Sequence, residues 1–313
     1  MKVNIQSIAP KYDFQFSVNN TGIVGVYGIS GSGKSSLLRA IAGFQKTLTG
    51  SIEYKNRYVL NTEKNQMPKV QLCSYMSQSP ILFPHWTVKQ NLDFAEVHSS
   101  INKAQTNELL LTLNCMDLLN HYPSQLSGGE KQRVAFIRAL ISSRNCDLIL
   151  LDEPFSALDK DIKNTALALL CDSKKDKLIF LITHDINELY QYANNILLIN
   201  NGTIQYQNNI SKAMTSGQFQ LPIACHFELE NKQQVIYADD VSLSLKPLAD
   251  SSIIHQIPVV IKEIRRKEKT VTIKLNSQDN KILYAKITSQ SLDRLQLTLN
   301  QPVMANFKAS SIT

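Results

Sequence analysis

A glycine-rich stretch followed by a lysine and two serines offers the clearest chemistry in the chain. Gly28, Gly33, Lys34 and Ser35 have the spacing of a phosphate-binding loop. Glycines let successive amide hydrogens face one anion, while the lysine reaches the β- and γ-phosphates and the serine hydroxyl takes one Mg²⁺ position. The predicted nucleotide contacts are Gly28, Ile29, Ser30, Gly31, Ser32, Gly33, Lys34, Ser35 and Ser36. The alternative is a glycine-rich turn that binds nothing.

A second group of polar residues follows apolar runs further along the chain. Residues 147–152 form a hydrophobic strand that ends in Asp152, which would hold Mg²⁺, and Glu153, which could polarise the attacking water. Gln78, at another strand end, could reach Mg²⁺ or that water, and His184 follows a strand over residues 178–183. A lone histidine is more often structural, but this position favours a role in sensing the γ-phosphate. The predicted catalytic residues are Glu153, His184, Gln78 and Lys34, and the predicted metal ligands are Ser35, Gln78 and Asp152.

The elements that must position these residues can be predicted from hydrophobic spacing. Residues 23–27 form an apolar run typical of a buried parallel strand, and residues 35–42 are predicted to form a helix that ends before Gly43. The N-terminus of that helix adds partial positive charge at the phosphate site. Further strands are predicted over residues 3–18 and 50–58, and a helix over residues 102–119.

A third motif lies at the start of a predicted helix. Ser127 and Glu130 have the spacing of a capping box, so a helix begins here and runs to about residue 141. The capping box does not explain Gly128 and Gly129, since glycine weakens a helix by up to about 1 kcal/mol each. Two glycines at a helix N-terminus permit close approach of an anion.

Two aromatic features have competing explanations. Tyr12, upstream of the glycine-rich loop, could stack on an adenine ring, although aromatic residues in strands more often lie in the core. Leu82, Phe83 and Trp86 lie on a loop that contains Pro80 and Pro84 and form either a surface for a partner or an ordinary core loop.

Bulk composition limits the class of protein. A length of 313 residues predicts about two domains, and no apolar run approaches the roughly 18 residues of a membrane span. Without a signal-peptide pattern or paired cysteines, a cytosolic chain with reduced thiols is expected. The net charge of +7 is dispersed, apart from residues 174–175 and 262–269, so no nucleic-acid partner is predicted.

From about residue 5 to residue 206 the chain resembles the ATP-binding-cassette ATPases. The resemblance rests on motifs at residues 28–35, Gln78, residues 126–130, residues 150–154 and His184. It implies an α/β fold with a mixed sheet and a helical subdomain. It further implies that Ser127, Gly128 and Gly129 of one subunit close over ATP held by another, so that two identical chains enclose two ATP molecules. Residues 82–88 resemble the importer version of the loop that grips a membrane subunit.

The last third of the chain changes to short alternating strands, and the lysine-rich residues 261–269 are predicted to form an exposed turn. Residues 238–243, 285–288 and 307–312 resemble the TOBE or Mop regulatory domain of molybdate-importer ATPases, a small OB-like β-barrel. The resemblance implies an oxyanion site at Ser251, Ser252, Lys308 and Ser310. This chain has Ile254 and His255 where family members often carry Arg-Asn, and a barrel that only strengthens dimerisation is the alternative. We expect an ATPase domain at residues 1–216 and this β-domain at residues 217–313.

Together the two resemblances imply the motor subunit of a molybdate or tungstate importer. Such a subunit uses ATP and Mg²⁺, lies on the cytoplasmic face of the membrane and binds two permease subunits, which in turn meet an extracellular or periplasmic oxyanion-binding protein. The rival hypotheses are an importer ATPase for sulfate, iron or a polyamine, a soluble cassette ATPase of DNA repair or translation, and an oxyanion sensor.

Overall fold

The chain divides into two units, Met1–Ile210 and Ser211–Thr313. The computed structural model describes residues 1–8, 11–45, 48–63, 73–97, 99, 101–210, 224–229, 232–248, 253, 255–267, 270–279 and 281–308. The expected boundary between residues 216 and 217 lies outside these ranges and stays a prediction. Within the described ranges no helix combines the length and hydropathy needed to cross a membrane.

The first unit contains two kinds of strand, which follow two kinds of sequence pattern. Strands β1 (Lys2–Ile8) and β2 (Lys11–Ser17) alternate between buried and exposed residues and pair antiparallel, which confirms the predicted antiparallel region. Strands β3 (Gly22–Tyr27), β7 (Leu148–Asp152) and β8 (Leu178–Ile182) are mostly apolar, are buried along almost their whole length and pair in parallel. Both faces of a parallel sheet are covered, so such strands need no polar side.

These strands belong to one mixed sheet. Its remaining members are β4 (Thr49–Tyr54), β5 (Arg57–Asn61), β6 (Cys73–Met76), β9 (Asn195–Asn200) and β10 (Thr203–Asn208). The strand order among the described residues is β5-β4-β1-β2-β10-β9-β3-β8-β7-β6. The carboxyl ends of β3, β6, β7 and β8 therefore meet at one edge, where chemistry is expected in an α/β sheet.

Six helices complete the described part of this unit. They are α1 (Lys34–Ile41), α2 (Val88–Val97), α3 (Lys103–Thr112), α4 (Gly128–Ser142), α5 (Lys160–Ser173) and α6 (Ile186–Tyr192). Helix α1 follows β3 after the loop of residues 28–33, and its buried Leu37 and Leu38 pack in the core with Phe14 and Phe180. Helices α2 and α3 both contact α4, so the three form the expected helical subdomain.

Two predicted elements of this unit are corrected. The strand predicted over residues 50–58 is a hairpin, because Lys55 and Asn56 adopt positive φ angles of 49° and 60° between β4 and β5. The helix predicted over residues 102–119 ends at Thr112, since Asn114 adopts a left-handed conformation with φ 52°. A short 3₁₀ turn, Met116–Leu118, follows.

The second unit contains an antiparallel sheet over a single apolar core. Its strands are β11 (Ala224–Leu229), β12 (Lys232–Tyr237), β13 (Ser242–Ser244), β14 (His255–Lys267), β15 (Thr270–Ser277), β16 (Ile282–Thr288) and β17 (Pro302–Phe307), with a short helix α7 (Ser289–Arg294). In the described residues β11 pairs with β12, and the other strands have the order β13-β17-β14-β15-β16. The all-β prediction is confirmed.

The lysine-rich turn predicted over residues 261–269 is wrong for residues 261–267, which lie in a strand, whereas residues 268 and 269 lie outside the described ranges. Strand β14 continues to Lys267, and Arg265 pairs with Thr272 of β15. The exposed face of an antiparallel sheet tolerates charged side chains, so charge alone does not mark a turn. The buried face of the same strand supplies Val259 and Ile261 to the core.

Candidate nucleotide-binding and hydrolysis site

The glycine-rich loop joins β3 to α1 and has a backbone that only glycine permits at two positions. A Cβ atom at Gly28 would lie 2.2 Å from the Ile199 carbonyl oxygen, so any side chain there would collide with β9. Gly33 precedes α1 with φ 107°, a conformation that side chains disfavour. The loop thus has the open backbone that an anion cradle requires.

The Lys34 side chain bonds back to the backbone of this loop. Its Nζ donates to the carbonyl oxygens of Gly28 and Ile29 at 2.8 and 2.9 Å. The residue is only 6% exposed, and burial lowers the pKa of its ammonium, while the nearby carboxylates of Glu153 and Asp152 oppose this effect. A buried ammonium at the start of a helix supplies a fixed positive charge for phosphate oxygens.

Asp152 lies at the carboxyl end of β7, beside the first turn of α1. It is 2% exposed, and burial raises the pKa of its carboxyl group, while a hydrogen bond from the Ser35 hydroxyl opposes the rise. Its Oδ1 atom is buried without a hydrogen-bond partner. A buried, unpartnered carboxylate oxygen beside a hydroxyl fits Mg²⁺, which prefers oxygen ligands.

Glu153 contacts two other predicted residues through its carboxylate. Its Oε1 lies 2.6 Å from Nε2 of His184, and its Oε2 accepts a hydrogen bond of 3.1 Å from Nε2 of Gln78. The Glu153 side chain is 12% exposed, whereas that of His184 is 52% exposed. The carboxylate is therefore held in a fixed orientation at the rim of the sheet, where water can reach it.

Sequence reasoning missed Gln132, on α4. Its amide donates to the Glu153 carbonyl at 2.9 Å and to Ser156 Oγ at 3.1 Å, and it accepts from the Ala157 amide at 2.7 Å. The signal that could have revealed it is a polar residue two positions before the run of buried residues 134–137. Buried polar side chains need partners, so such a residue predicts a contact across the helix.

Ser127 caps α4 as predicted, and the capping box is confirmed. The Ser127 amide donates to Glu130 Oε2 at 2.8 Å, and the Glu130 amide donates to Ser127 Oγ at 3.3 Å. Ser127 and Gly128 are exposed, and a Cβ atom at Gly128 would meet nothing within 4 Å. Residues 127–129 are thus an open helix N-terminus, whereas the other predicted site residues of this unit cluster at the sheet edge.

Tyr12 is an exception, and its prediction as an adenine contact is contradicted. The residue is 4% exposed and its ring stacks on Phe14, with centroids 4.7 Å apart. Phe14, on the same strand, covers one face of the Tyr12 ring, and the burial of the residue leaves too little exposed ring for an adenine to stack on. The core explanation, which the sequence left open, is the correct one here.

Residues 82–88 form an aromatic surface whose composition differs from the prediction. Leu82 is buried, while Phe83 and Phe94 are 41% and 44% exposed and lie with Trp86 in one cluster. The buried Asn91 fixes this segment through hydrogen bonds to Phe83, Trp86 and Thr87. A cavity of about 710 Å³, lined by Gln78, Ile81 and Arg138 among others, adjoins the segment. The cluster has the features of a docking surface.

The predicted oxyanion site of the second unit falls mostly outside the described residues. This is so for Ser251, Ser252 and Ser310. Lys308 is exposed and directly follows β17. The oxyanion site therefore stays a prediction.

The comparisons with known proteins agree with this architecture. The ABC transporter family matches residues 12–156, and the TOBE domain matches residues 251–313. The solved "Structure of ATP binding subunit of ABC transporter" is 22% identical, with a TM-score of 0.57 over 66% of this chain and 85% of that one. A second solved structure, "Dimeric Structure of MJ0796, a Bacterial ABC Transporter Cassette", is 25% identical, with a TM-score of 0.54 over 63% of this chain and 89% of that one.

Relatives of full length are also found. The molybdenum import ATP-binding protein ModC of Mannheimia succiniciproducens is 31% identical over 95% of both chains. The protein of the same name from Saccharophagus degradans is 30% identical over 97% of this chain and 95% of its own length. That from Haemophilus influenzae is 28% identical over 100% of this chain and 99% of its own length. Since this identity extends across both units, the chain belongs to the ABC transporter ATP-binding proteins of the ModC family.

Proposed function

We propose that this chain is the ATP-hydrolysing subunit of an ABC importer for molybdate or tungstate. The observation that carries the ATPase assignment is the Glu153 carboxylate, held by His184 and Gln78 beside the buried Lys34 and Asp152. The observation that carries the solute is the ModC relatedness across both units.

Each polar group at the sheet edge has a distinct task in hydrolysis. The loop amides of residues 28–33 and the Lys34 ammonium bind the phosphates of ATP, and Ser35, Asp152 and Gln78 would hold Mg²⁺. Mg²⁺ supplies charge that neutralises the phosphate oxygens. Water attacks the γ-phosphorus as the bond to the ADP oxygen breaks, and Glu153 accepts the proton of that water. His184 orients Glu153 through the 2.6 Å contact.

The open start of α4 supports assembly of two identical chains. Gly128 is exposed at a helix N-terminus, and a Cβ atom there would meet nothing within 4 Å, which suits the approach of an anion supplied from outside the chain. The solved cassette MJ0796 is described as dimeric. In the proposed dimer residues 127–129 of each chain cover the ATP bound by the glycine-rich loop of the other.

The aromatic surface of Phe83, Trp86 and Phe94 is the proposed contact with a permease subunit at the cytoplasmic face of the membrane. Phe83 and Phe94 are exposed, Asn91 bonds to the Phe83 carbonyl, and the neighbouring cavity is lined by Gln78, which bonds to Glu153. Two permease subunits, one for each ATPase chain, would in turn meet an oxyanion-binding protein on the outer side.

The first experiment is Glu153→Gln, which keeps the size of the side chain and removes the base. We expect ATP turnover to fall by about 10²- to 10⁴-fold, while ATP binding is retained. Hydrolysis is measured by phosphate release, and binding by titration with a fluorescent nucleotide. Glu263→Gln, a change of the same chemistry in the second unit, is the matched control. Normal turnover in Glu153→Gln would refute the assignment of the base.

A second experiment tests the solute with the full chain. Calorimetric titration with molybdate, tungstate and sulfate is compared between the native chain and Lys308→Ala. Heat with molybdate and tungstate but not sulfate, weakened by the substitution, is the expected result. Equal heats with sulfate would contradict a molybdate-selective second unit.

A further inference from the structure

We propose that Gln132 is a positioning residue that couples the open start of α4 to the base Glu153. The inference rests on the proposed role of Glu153 in hydrolysis. Gln132 is 2% exposed and lies in the second turn of α4, shortly after residues 127–129. Its side-chain hydrogen bonds in the described part of the chain go to Glu153, Ser156 and Ala157, so we assign it a role that acts through the residues it holds.

All the hydrogen bonds found for the Gln132 amide go to one segment of chain. Its Nε2 donates to the carbonyl oxygen of Glu153 and to Ser156 Oγ, and its Oε1 accepts from the Ala157 amide. A buried amide group left without a hydrogen-bond partner is destabilising, so the loss of any one of these bonds is unfavourable. Gln132 thereby makes α4 and residues 153–157 move together.

The backbone at Glu153 explains why such an anchor is needed. Glu153 has φ 49°, a left-handed conformation that is uncommon for a residue with a side chain. Its amide donates to the Ile182 carbonyl at 3.0 Å, and its carbonyl accepts from Gln132. These two bonds fix both sides of the strained residue and so direct its carboxylate toward His184 and Gln78.

A second contact joins the same two segments independently. A Cβ atom at Gly129 would lie 2.8 Å from the Ala157 carbonyl oxygen, so the first turn of α4 packs directly on the backbone that Gln132 holds. A shift of residues 127–129, such as one caused by an anion binding there, therefore cannot leave residues 153–157 in place. The geometry makes Gln132 the link between that event and the orientation of the base.

The test is Gln132→Met, which keeps the length of the side chain and removes its polar atoms. We expect kcat for ATP hydrolysis to fall by about 10- to 100-fold, with KM for ATP changed less than about threefold, because misplacing a catalytic group by an ångström has effects of this size. Ser74→Ala is the matched control, since the buried Ser74 hydroxyl bonds the Ala139 carbonyl of α4 and does not bond to residues 153–157. It should leave kcat nearly unchanged.

Two further measurements separate positioning from a general loss of structure. Gln132→Glu keeps the acceptor for Ala157 but loses the donor to Glu153, and it should lower kcat as much as Gln132→Met. In a Glu153→Gln background, Gln132→Met should cause little additional loss, because the group that it positions is already absent. The inference would be overturned if Gln132→Met lowered kcat by the same factor in the Glu153→Gln background as in the native chain. Equal effects of Gln132→Met and Ser74→Ala on kcat would also overturn it. If Glu153→Gln itself hydrolyses ATP normally, the proposed function fails instead.

Discussion

The two units differ in how many polar side chains they bury. Among the described residues the buried polar or charged side chains lie almost entirely in Met1–Ile210, and in the second unit Asn306 is the exception. Lys34 and Asp152 are buried in the first unit, whereas Lys286 and Asp239 form an exposed ion pair in the second. The core of the second unit is apolar, with Ile261, Leu275 and Phe307 at its centre.

The buried charged groups of the first unit lower its free energy of unfolding. Burying a charge is unfavourable, and the lowered pKa of Lys34 and the raised pKa of Asp152 are both caused first by burial. In the proposed function these two groups hold the phosphates and Mg²⁺, which would account for their burial. The described part of the second unit has no buried charged side chain of this kind, and its buried residues mainly form the core of a β fold.

The largest expected effect is that of Lys34→Met, which removes the buried charge and keeps the aliphatic stem. We expect ATP hydrolysis to fall by roughly 10³-fold, since a preorganised charge that stabilises the transition state is lost. Stability without nucleotide should not fall by more than about 1 kcal/mol, because the charge itself is costly to bury. Phosphate release and denaturant unfolding measure the two quantities, with Lys2→Met as the exposed control. A large loss of stability would show that Lys34 is structural.

The converse is expected for Phe307→Ala in the second unit. Phe307 is 1% exposed, so the substitution should destabilise that unit by about 3–5 kcal/mol while ATP hydrolysis stays within about twofold. Hydrogen exchange of β14, β15 and β17 reports the stability of this unit separately from that of the other. Lys286→Ala, which removes an exposed ion pair, should change it by less than about 1 kcal/mol. A large loss of ATP hydrolysis in Phe307→Ala would contradict the assignment of hydrolysis to the first unit alone.

The smallest effect is expected for the stability of Asp152→Asn. Because the folded state raises the pKa of Asp152 above its usual 3.8, the folded state binds more protons, and stability falls as pH rises from that value through the folded pKa. The asparagine variant lacks this loss, so without Mg²⁺ it should melt a few degrees above the native chain at pH 7.5. The gap should narrow toward pH 4. A lower melting temperature for Asp152→Asn than for the native chain at pH 7.5 would contradict burial as the dominant cause of the raised pKa.

The sequence predicted the parallel core well because the relevant patterns are local. The apolar runs of β3, β7 and β8 and the capping box of Ser127 each depend on neighbouring residues only. The polar residues at strand ends could also be placed at one edge, since parallel strands in one sheet end together. The hairpin at Lys55 and Asn56 was missed because its positive φ angles leave no strong signal in residue type.

What the sequence alone determined is the set of residues proposed to do chemistry: the loop of residues 28–36, the carboxylates of Asp152 and Glu153, and the strand ends that carry Gln78 and His184. What only the tertiary structure decided is how those groups are held. Tyr12 is buried, and Glu153 has a left-handed backbone whose amide and carbonyl bond to Ile182 and Gln132, residues of other elements. Local patterns fix residue type and period, whereas burial and hydrogen-bond partners depend on which elements pack together.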